Sequence, residues 1–163
     1  METEIKKDSE DKKFKILGEK NISVRVALTA ITAALYIALG YVFQPISFLG
    51  IQFRVAELIV GMCIIFPLEG LIGNVIGVFF VNLSSQLGPI DLISCIVNIP
   101  ALYCIVLLRN RKYLKYLGGV LYSIIISVYV AIVLNIAYGL LIWLSFFQVL
   151  ISEVILASLG IIL

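Results

Sequence analysis

The chain has 163 residues, of which 62% are hydrophobic and 13% are charged, and its formal net charge is +2. With a mean hydropathy of +1.14, this composition excludes an ordinary soluble domain and predicts an all-α integral membrane protein. The small positive charge gives no reason to expect a nucleic-acid partner.

Residues 1–23 form a first region, in which lysines alternate with glutamates and aspartates. A segment so densely charged cannot bury a core, so we predict a solvated, disordered tail. We expect no cleavable signal peptide, because the apolar stretch that follows is about 20 residues long and has no A-x-A site. The lysines of the tail predict a cytoplasmic N-terminus.

Residues 24–163 predict a transmembrane domain of six helices, because they accommodate six spans of about 20 residues and five short connections. A loop over residues 45–53 joins the first two spans. Proline, glycine and polar residues punctuate the apolar sequence and give spans at about Val24–Phe43, Arg54–Phe66, Leu68–Leu83, Ile90–Leu108, Leu117–Tyr138 and Ile142–Ile162.

The region 54–83 allows an alternative, one long span in place of two short ones. Pro67 favours two spans, because proline disrupts the interior of a helix. Six spans also place the basic loop 109–115 in the cytoplasm with the tail, as the positive-inside rule requires, whereas five spans would place it outside. We therefore predict six spans with both termini in the cytoplasm.

On the first predicted helix, Ala30, Ala34 and Ala38 recur every four residues and lie on one stripe. Small-x-x-x-small stripes allow helices to pack closely in lipid. The stripe therefore predicts a packing face, either for a neighbouring span or for a partner subunit.

Polar side chains converge on the outer end of the predicted bundle. A charge at bilayer depth costs about 2.5–3.5 kcal/mol on insertion scales and normally faces a protein interior or a water-filled cavity. Arg54 and Glu57 are three residues apart and share a helix face, so we expect them to neutralise each other in part. With an acid in the last helix added, the candidate binding residues are Arg54, Glu57, Asn82, Asp91 and Glu153.

These polar and aromatic residues also have structural interpretations. Asp91 could cap a helix, and Arg54 could extend to lipid headgroups. Glu153 could pair with another span, and Glu69 fits a solvated turn. Trp143 could anchor the chain at the membrane interface or stack on a flat ligand.

No sequence pattern indicates catalysis. The chain lacks a phosphate-binding P-loop and a nucleophile elbow. It has no His, and Cys63, Cys95 and Cys104 stand singly, so we expect neither a metal site nor a cofactor. We predict a protein that is not an enzyme, and that either binds a solute and takes energy from a partner or acts as a small channel or scaffold.

Several motifs in order point to one family. Gln52-Phe53-Arg54-Val55-Ala56-Glu57 is followed by Pro67, Gly73-Asn74, Asn82, Gly88-Pro89-Ile90-Asp91 and Glu153. From residue 24 to the end the chain resembles the QueT family, the substrate-binding (S) components of energy-coupling-factor (ECF) transporters. It departs from the family where residues 92–97 contain no glycine and where Ser152, in place of a frequent glycine, precedes Glu153.

The resemblance implies an ECF S-component bundle in the plasma membrane of a prokaryote, which captures a queuosine precursor, a 7-deazaguanine base, from outside. The 45–53 loop would close over the substrate, and the alanine stripe would dock onto a transmembrane coupling subunit served by two ATPases. An S component for another vitamin or purine-like micronutrient, and a small channel or scaffold, are the alternatives.

The resemblance also implies roles for the candidate residues. The acids and Asn82 would bond a guanine-like edge, whose adjacent N–H groups suit a carboxylate. Arg54 would orient Glu57 or bond the ring carbonyl. The aromatic residues that would stack on the ring are Phe53, Phe48 or Trp143.

Overall fold

The computed structural model describes residues 21–47, 53–85, 87–110 and 113–163, and these residues form helices and turns without a strand. The predicted all-helical class is confirmed. The five long helices are α1 (Ile22–Val42), α2 (Pro67–Asn82), α3 (Ser94–Leu108), α4 (Leu114–Tyr138) and α5 (Ile142–Ile162). The shorter pieces are Gln44–Ser47, the 3₁₀ helix Val55–Gly61, Met62–Ile65 and Pro89–Leu92. The predicted tail up to residue 20, and residues 48–52 of the first loop, lie outside the described residues.

Four helical stretches are long and apolar enough to cross a membrane: Ile22–Val42, Pro89–Leu108, Leu114–Tyr138 and Ile142–Ile162. The apolar helices Val55–Ile65 and Pro67–Asn82 are shorter. The bounds of the first and last spans agree with the sequence prediction within two residues. The second and fourth spans are not the continuous α-helices that the sequence predicted. Residues 55–61 of the second form a 3₁₀ helix, and a turn at Ile93 interrupts the fourth.

Residues 55–65, here called the 55–65 segment, form an antiparallel hairpin with α2. Pro67 is the first residue of α2, where its missing N–H removes no helical hydrogen bond. The Asn74 amide of α2 donates to Ile59 O at 3.4 Å, and a Cβ on Gly70 would come within 2.8 Å of Cys63 N. These contacts pair residues equally distant from the turn. The chain therefore reverses at Phe66–Pro67, and the alternative of one continuous helix over 54–83 is wrong.

α1 and α2 pack closely and run in the same direction. A Cβ on Gly73 would come within 2.6 Å of Thr32 Cβ, and a Cβ on Gly77 would come within 2.6 Å of Tyr36 Cβ. Such small residues let helices approach closely in lipid. The exposed side of α1 carries Ala30, Ala34 and Ala38, so the alanine stripe does not serve this packing face.

α3, α4 and α5 alternate in direction. Gly118 near the start of α4 lies against the backbone of Cys104 and Ile105 in α3, whereas Tyr129, further along α4, donates to Ile90 O at 2.6 Å. Gly119 faces Ile161 near the end of α5. The apolar core lies between these three helices and the 55–65 segment and includes Val60, Leu102, Ile105, Ile126, Val149 and Ala157.

The 55–65 segment touches α5 main chain to main chain. A Cβ on Gly61 would collide with the Gly160 carbonyl, and a Cβ on Gly160 would collide with the Leu58 carbonyl. No side chain fits between the two elements, so the glycines fix their separation.

The helix directions define two ends of the bundle. The Glu69 end contains Ile22, Pro67, Leu108, Leu114 and Ile162, and the Asp91 end contains Val42, Arg54, Asn82, Pro89 and Ile142. Among the described residues, three of the four Lys and Arg side chains lie at the Glu69 end, namely Arg25, Arg109 and Lys115. Arg54 is the fourth.

Candidate functional site

Glu57 is fully buried and is held by two tyrosines from different helices. Tyr36 of α1 donates to Glu57 Oε1 at 2.7 Å, and Tyr122 of α4 donates to Oε2. The Tyr122 hydroxyl also lies 3.2 Å from Asn98 Oδ1 in α3. Because hydrogen bonds from the neutral tyrosines satisfy both oxygens, this acid ties α1, the 55–65 segment and α4 together.

The two tyrosines were not among the residues singled out from the sequence. Tyr36 is 3% exposed and Tyr122 is fully buried, each in the middle of an apolar helix. A buried phenol normally finds a hydrogen-bond partner. A tyrosine more than one helical turn inside a predicted span was therefore a signal that a polar group lies inside the bundle.

Arg54 pairs with Asp91 and makes no ion pair with Glu57. Arg54 Nη2 lies 3.5 Å from Asp91 Oδ1, and the two side chains are 8% and 1% exposed. Arg54 precedes the 3₁₀ helix in a non-helical conformation. The ion-pair partner of Arg54 is therefore Asp91, although the Arg54 charge also acts on Glu57, as the prediction of partial neutralisation requires. The extension of this buried arginine to headgroups is wrong.

Asp91 lies inside the short helix Pro89–Leu92, whose N-cap is Gly88. Asp91 is therefore not the N-cap, although it lies in the first turn, where the helix dipole favours an acid. Its turn is braced on two sides, since the Asn82 amide donates to Asp91 O at 3.0 Å and to Ser94 Oγ at 2.6 Å. Asn82 thus holds the backbone that carries Asp91.

Glu153 is fully buried in the middle of α5. The charges of Glu57 and Arg54 act on it, which places it in one group with them. Arg54, Glu57, Asp91 and Glu153 are here called the charged cluster. Formally it contains three carboxylates and one guanidinium.

Five polar atoms of the charged cluster are buried without a hydrogen-bond partner among the described residues. They are Arg54 Nη2, both carboxylate oxygens of Asp91 and both carboxylate oxygens of Glu153. Buried polar groups in proteins are nearly always hydrogen-bonded, and exceptions need an explanation. Two of the five, Arg54 Nη2 and Asp91 Oδ1, form the ion pair with each other. Asp91 Oδ2 and the two Glu153 oxygens have no such contact, and a bound polar ligand would explain all three.

The two aromatic candidates among the described residues differ in burial and in their distance along the chain from Arg54. Phe53 is half-buried and directly precedes Arg54, beside the charged cluster. Trp143 is 75% exposed at the start of α5, so the structure does not bring it into the charged cluster. Phe48 lies outside the described residues.

The acid at the other end of the bundle is also buried. Glu69 is 7% exposed, and its Oε1 accepts a hydrogen bond from Arg25 Nε at 2.8 Å. The expectation of a solvated turn residue is therefore wrong. The described part of the chain contains no group of three Cys, Asp or Glu side chains that could hold a metal ion.

The model of the QueT transporter family matches residues 26–163, which is most of the chain. Neither a curated protein nor a solved structure matches it. The match covers every element that builds the charged cluster and the alanine stripe. The chain therefore belongs to the QueT transporter family.

Proposed function

We propose that this protein is the substrate-binding subunit of an ECF-type importer in the plasma membrane of a prokaryote. It captures a queuosine precursor, a 7-deazaguanine base, from outside and delivers it to an ATP-driven coupling module. Residues 24–163 cross the membrane six times, and both termini and the charged tail 1–23 lie in the cytoplasm.

The distribution of charge supports this orientation. Arg25, Arg109 and Lys115 lie at the Glu69 end, together with the residue to which the charged tail is joined. The positive-inside rule assigns such an end to the cytoplasm. The Asp91 end then faces outward and holds the entrance to the charged cluster. The 55–65 segment and α2 are short, so neighbouring helices or local thinning of the bilayer must accommodate them.

The unpartnered atoms of the charged cluster are the observation that carries the binding proposal. A guanine-like edge presents adjacent N–H donors and a carbonyl acceptor. Carboxylates accept such donors in pairs, and a guanidinium donates to the carbonyl. Asp91 supplies the acceptors for this edge, and Arg54 supplies the donor. Glu153 then remains for a further polar group of the ligand. Phe53, half-buried next to Arg54 in the sequence, would cover a flat ring at the Asp91 end.

The alanine stripe supports docking onto a partner. Ala30, Ala34 and Ala38 are exposed on α1, and Ala30 also lines a groove of about 580 Å³ between α1 and α2. Small residues allow a partner helix to approach closely. The sequence contains no phosphate-binding P-loop, which fits a subunit that relies on a transmembrane coupling protein and two ATPases.

Direct titration of the purified protein in detergent tests the substrate. We expect a 7-deazaguanine base to bind, and we expect riboflavin, thiamine and biotin not to bind. Asp91→Asn should weaken binding at least about 10-fold, because hydrogen bonds to charged groups contribute about 1.5–3 kcal/mol. Binding of another vitamin alone would overturn the substrate and keep the fold. Binding of none of them would favour a channel or scaffold.

A bulky residue on the stripe tests the docking face. Ala34→Trp should abolish ATP-driven uptake and leave ligand binding to the isolated subunit unchanged, because Ala34 points away from the charged cluster. Ile151→Trp, at an exposed position on α5, is the control, since it places the same bulky side chain on a face without the stripe. Normal uptake by Ala34→Trp would rule out docking through this stripe.

A further inference from the structure

Glu57 and Glu153 are both fully buried acids of the charged cluster, but the structure treats them differently. We infer that Glu153 receives a cationic group of the ligand, whereas Glu57 is a positioning residue held by Tyr36 and Tyr122. This inference rests on the proposed function and specifies which form of the base the site takes.

The contacts of Glu57 are already made within the protein. Each of its carboxylate oxygens accepts a hydrogen bond from one tyrosine hydroxyl. Hydroxyls of this kind stabilise a carboxylate without neutralising its charge. The ligand would have to displace a buried tyrosine to reach either oxygen along these directions. Glu57 therefore orients the helices around the ligand and contributes negative charge to the site.

Glu153, in contrast to Glu57, is not hydrogen-bonded by other described side chains. Neither of its oxygens has a hydrogen-bond partner in the described ranges. Among the residues that the structure describes, it has no ion pair either, and Arg54, the cation of the charged cluster, lies 3.5 Å from Asp91. An ionised carboxylate in an apolar interior is costly unless it is paired. A cation on the ligand supplies the partner that Glu153 lacks.

The charge balance of the cluster points to the same ligand. The charged cluster contains three carboxyl groups and one guanidinium, so full ionisation would leave an excess of two negative charges. Like charges in one buried site disfavour each other's ionisation, and an added cation relieves this repulsion. The site therefore favours a base that carries an alkylammonium group over a neutral base with the same ring.

Two ligands with the same ring test the inference. 7-Aminomethyl-7-deazaguanine is cationic at neutral pH, and 7-cyano-7-deazaguanine is neutral. We expect the purified full-length protein to bind the aminomethyl base at least about 10-fold more tightly, since a charge-assisted contact replaces a neutral one. Glu153→Gln should remove this preference and retain binding of the cyano base.

The variants of Glu57 separate positioning from contact. Tyr122→Phe should weaken both bases by a similar factor and keep the preference between them. Glu57→Gln should weaken both bases and lower the preference only in part, because it also removes one negative charge from the charged cluster. Glu69→Gln is the matched control, because it makes the same change at a buried acid of the opposite end and should alter neither affinity. The melting temperature of each variant in detergent checks that it is folded.

The outcomes distinguish this inference from the proposed function. Equal affinity of the wild-type protein for the two bases would overturn the inference and leave the proposed substrate class intact. Loss of the preference in Glu57→Gln but not in Glu153→Gln would reverse the assignment of the two acids. Binding of neither base, with another vitamin bound instead, would overturn both.

Discussion

Both ends of the bundle carry an arginine beside a buried carboxylate, and the two pairs are built differently. At the Glu69 end, Arg25 Nε lies 2.8 Å from Glu69 Oε1, and the arginine side chain is 46% exposed. At the Asp91 end, Arg54 Nη2 lies 3.5 Å from Asp91 Oδ1, and both side chains are buried. The first pair is a short hydrogen-bonded contact with one side open to the surroundings. In the second pair, Arg54 Nη2 and both carboxylate oxygens of Asp91 are buried without a hydrogen-bond partner among the described residues.

The packing of the main chain also differs between the two ends of the bundle. Near the Glu69 end, glycines bring backbones together, with Gly61 against Gly160 and Gly118 against Cys104 and Ile105. At the Asp91 end, the Asn82 side-chain amide instead donates a hydrogen bond to the turn that carries Asp91, whose carboxylate oxygens have no hydrogen-bond partner among the described residues. Tight main-chain packing thus stabilises one end, while the other maintains polar groups that a ligand can use.

The largest effect is expected from breaking the pair at the Asp91 end. Arg54→Met leaves Asp91 buried without its cation, so we expect the free energy of unfolding to fall by about 3 kcal/mol. Reversible unfolding in mixed micelles measures this change. The double variant Arg54→Met/Asp91→Leu should recover most of the loss, because an apolar pair replaces a buried ionic one. A double variant as unstable as the single one would contradict this view of the pair.

A smaller loss is expected from the glycine contact near the Glu69 end. Gly160→Val places a side chain against the Leu58 carbonyl, so we expect the unfolding free energy to fall by about 2 kcal/mol through overpacking. The same unfolding assay measures it, with Ser158→Ala on the same helix as the control. Unchanged stability of Gly160→Val would show that α5 can move away from the 55–65 segment at no cost.

The smallest effect is expected from the pair at the Glu69 end. Arg25→Gln should change the unfolding free energy by at most about 1 kcal/mol, because half-exposed ion pairs are weak. The difference from wild type should shrink as salt is raised from 0.05 to about 0.5 M, since salt screens exposed charges. Arg54→Met should show no such salt dependence. An equal response of both variants to salt would contradict the distinction between an exposed and a buried ion pair.

The sequence predicts the helices better than the contacts between them. The bounds of α5 agree with the prediction at both residues, because Gly139 precedes a long apolar run that continues to Ile162. The 3₁₀ winding of Val55–Gly61 was not predicted, since seven residues cannot distinguish a period of 3.0 from one of 3.6.

The residues of the charged cluster were named from the sequence, but their contacts were not. Buried charges are conspicuous in an apolar chain, so Arg54, Asp91 and Glu153 could be singled out. Their pairing depends on how distant segments meet. The turn at Phe66–Pro67 and the direction of α2 bring Arg54 beside Asp91, although local spacing favoured Glu57. No local pattern contains that information.

The contact between Gly61 and Gly160 limits how the site can be altered in evolution. Glu57 lies four residues before the first glycine and Glu153 seven residues before the second, so each acid is carried by one of the two elements in contact. At this contact the main chains touch without an intervening side chain, so the separation of the two elements cannot be reduced there. Side-chain length remains adjustable, since exchanging glutamate for aspartate withdraws a carboxylate by one C–C bond, about 1.5 Å. Adaptation to a ligand of another size is therefore expected to proceed one methylene at a time, through Glu-to-Asp exchange, while the helices stay in register.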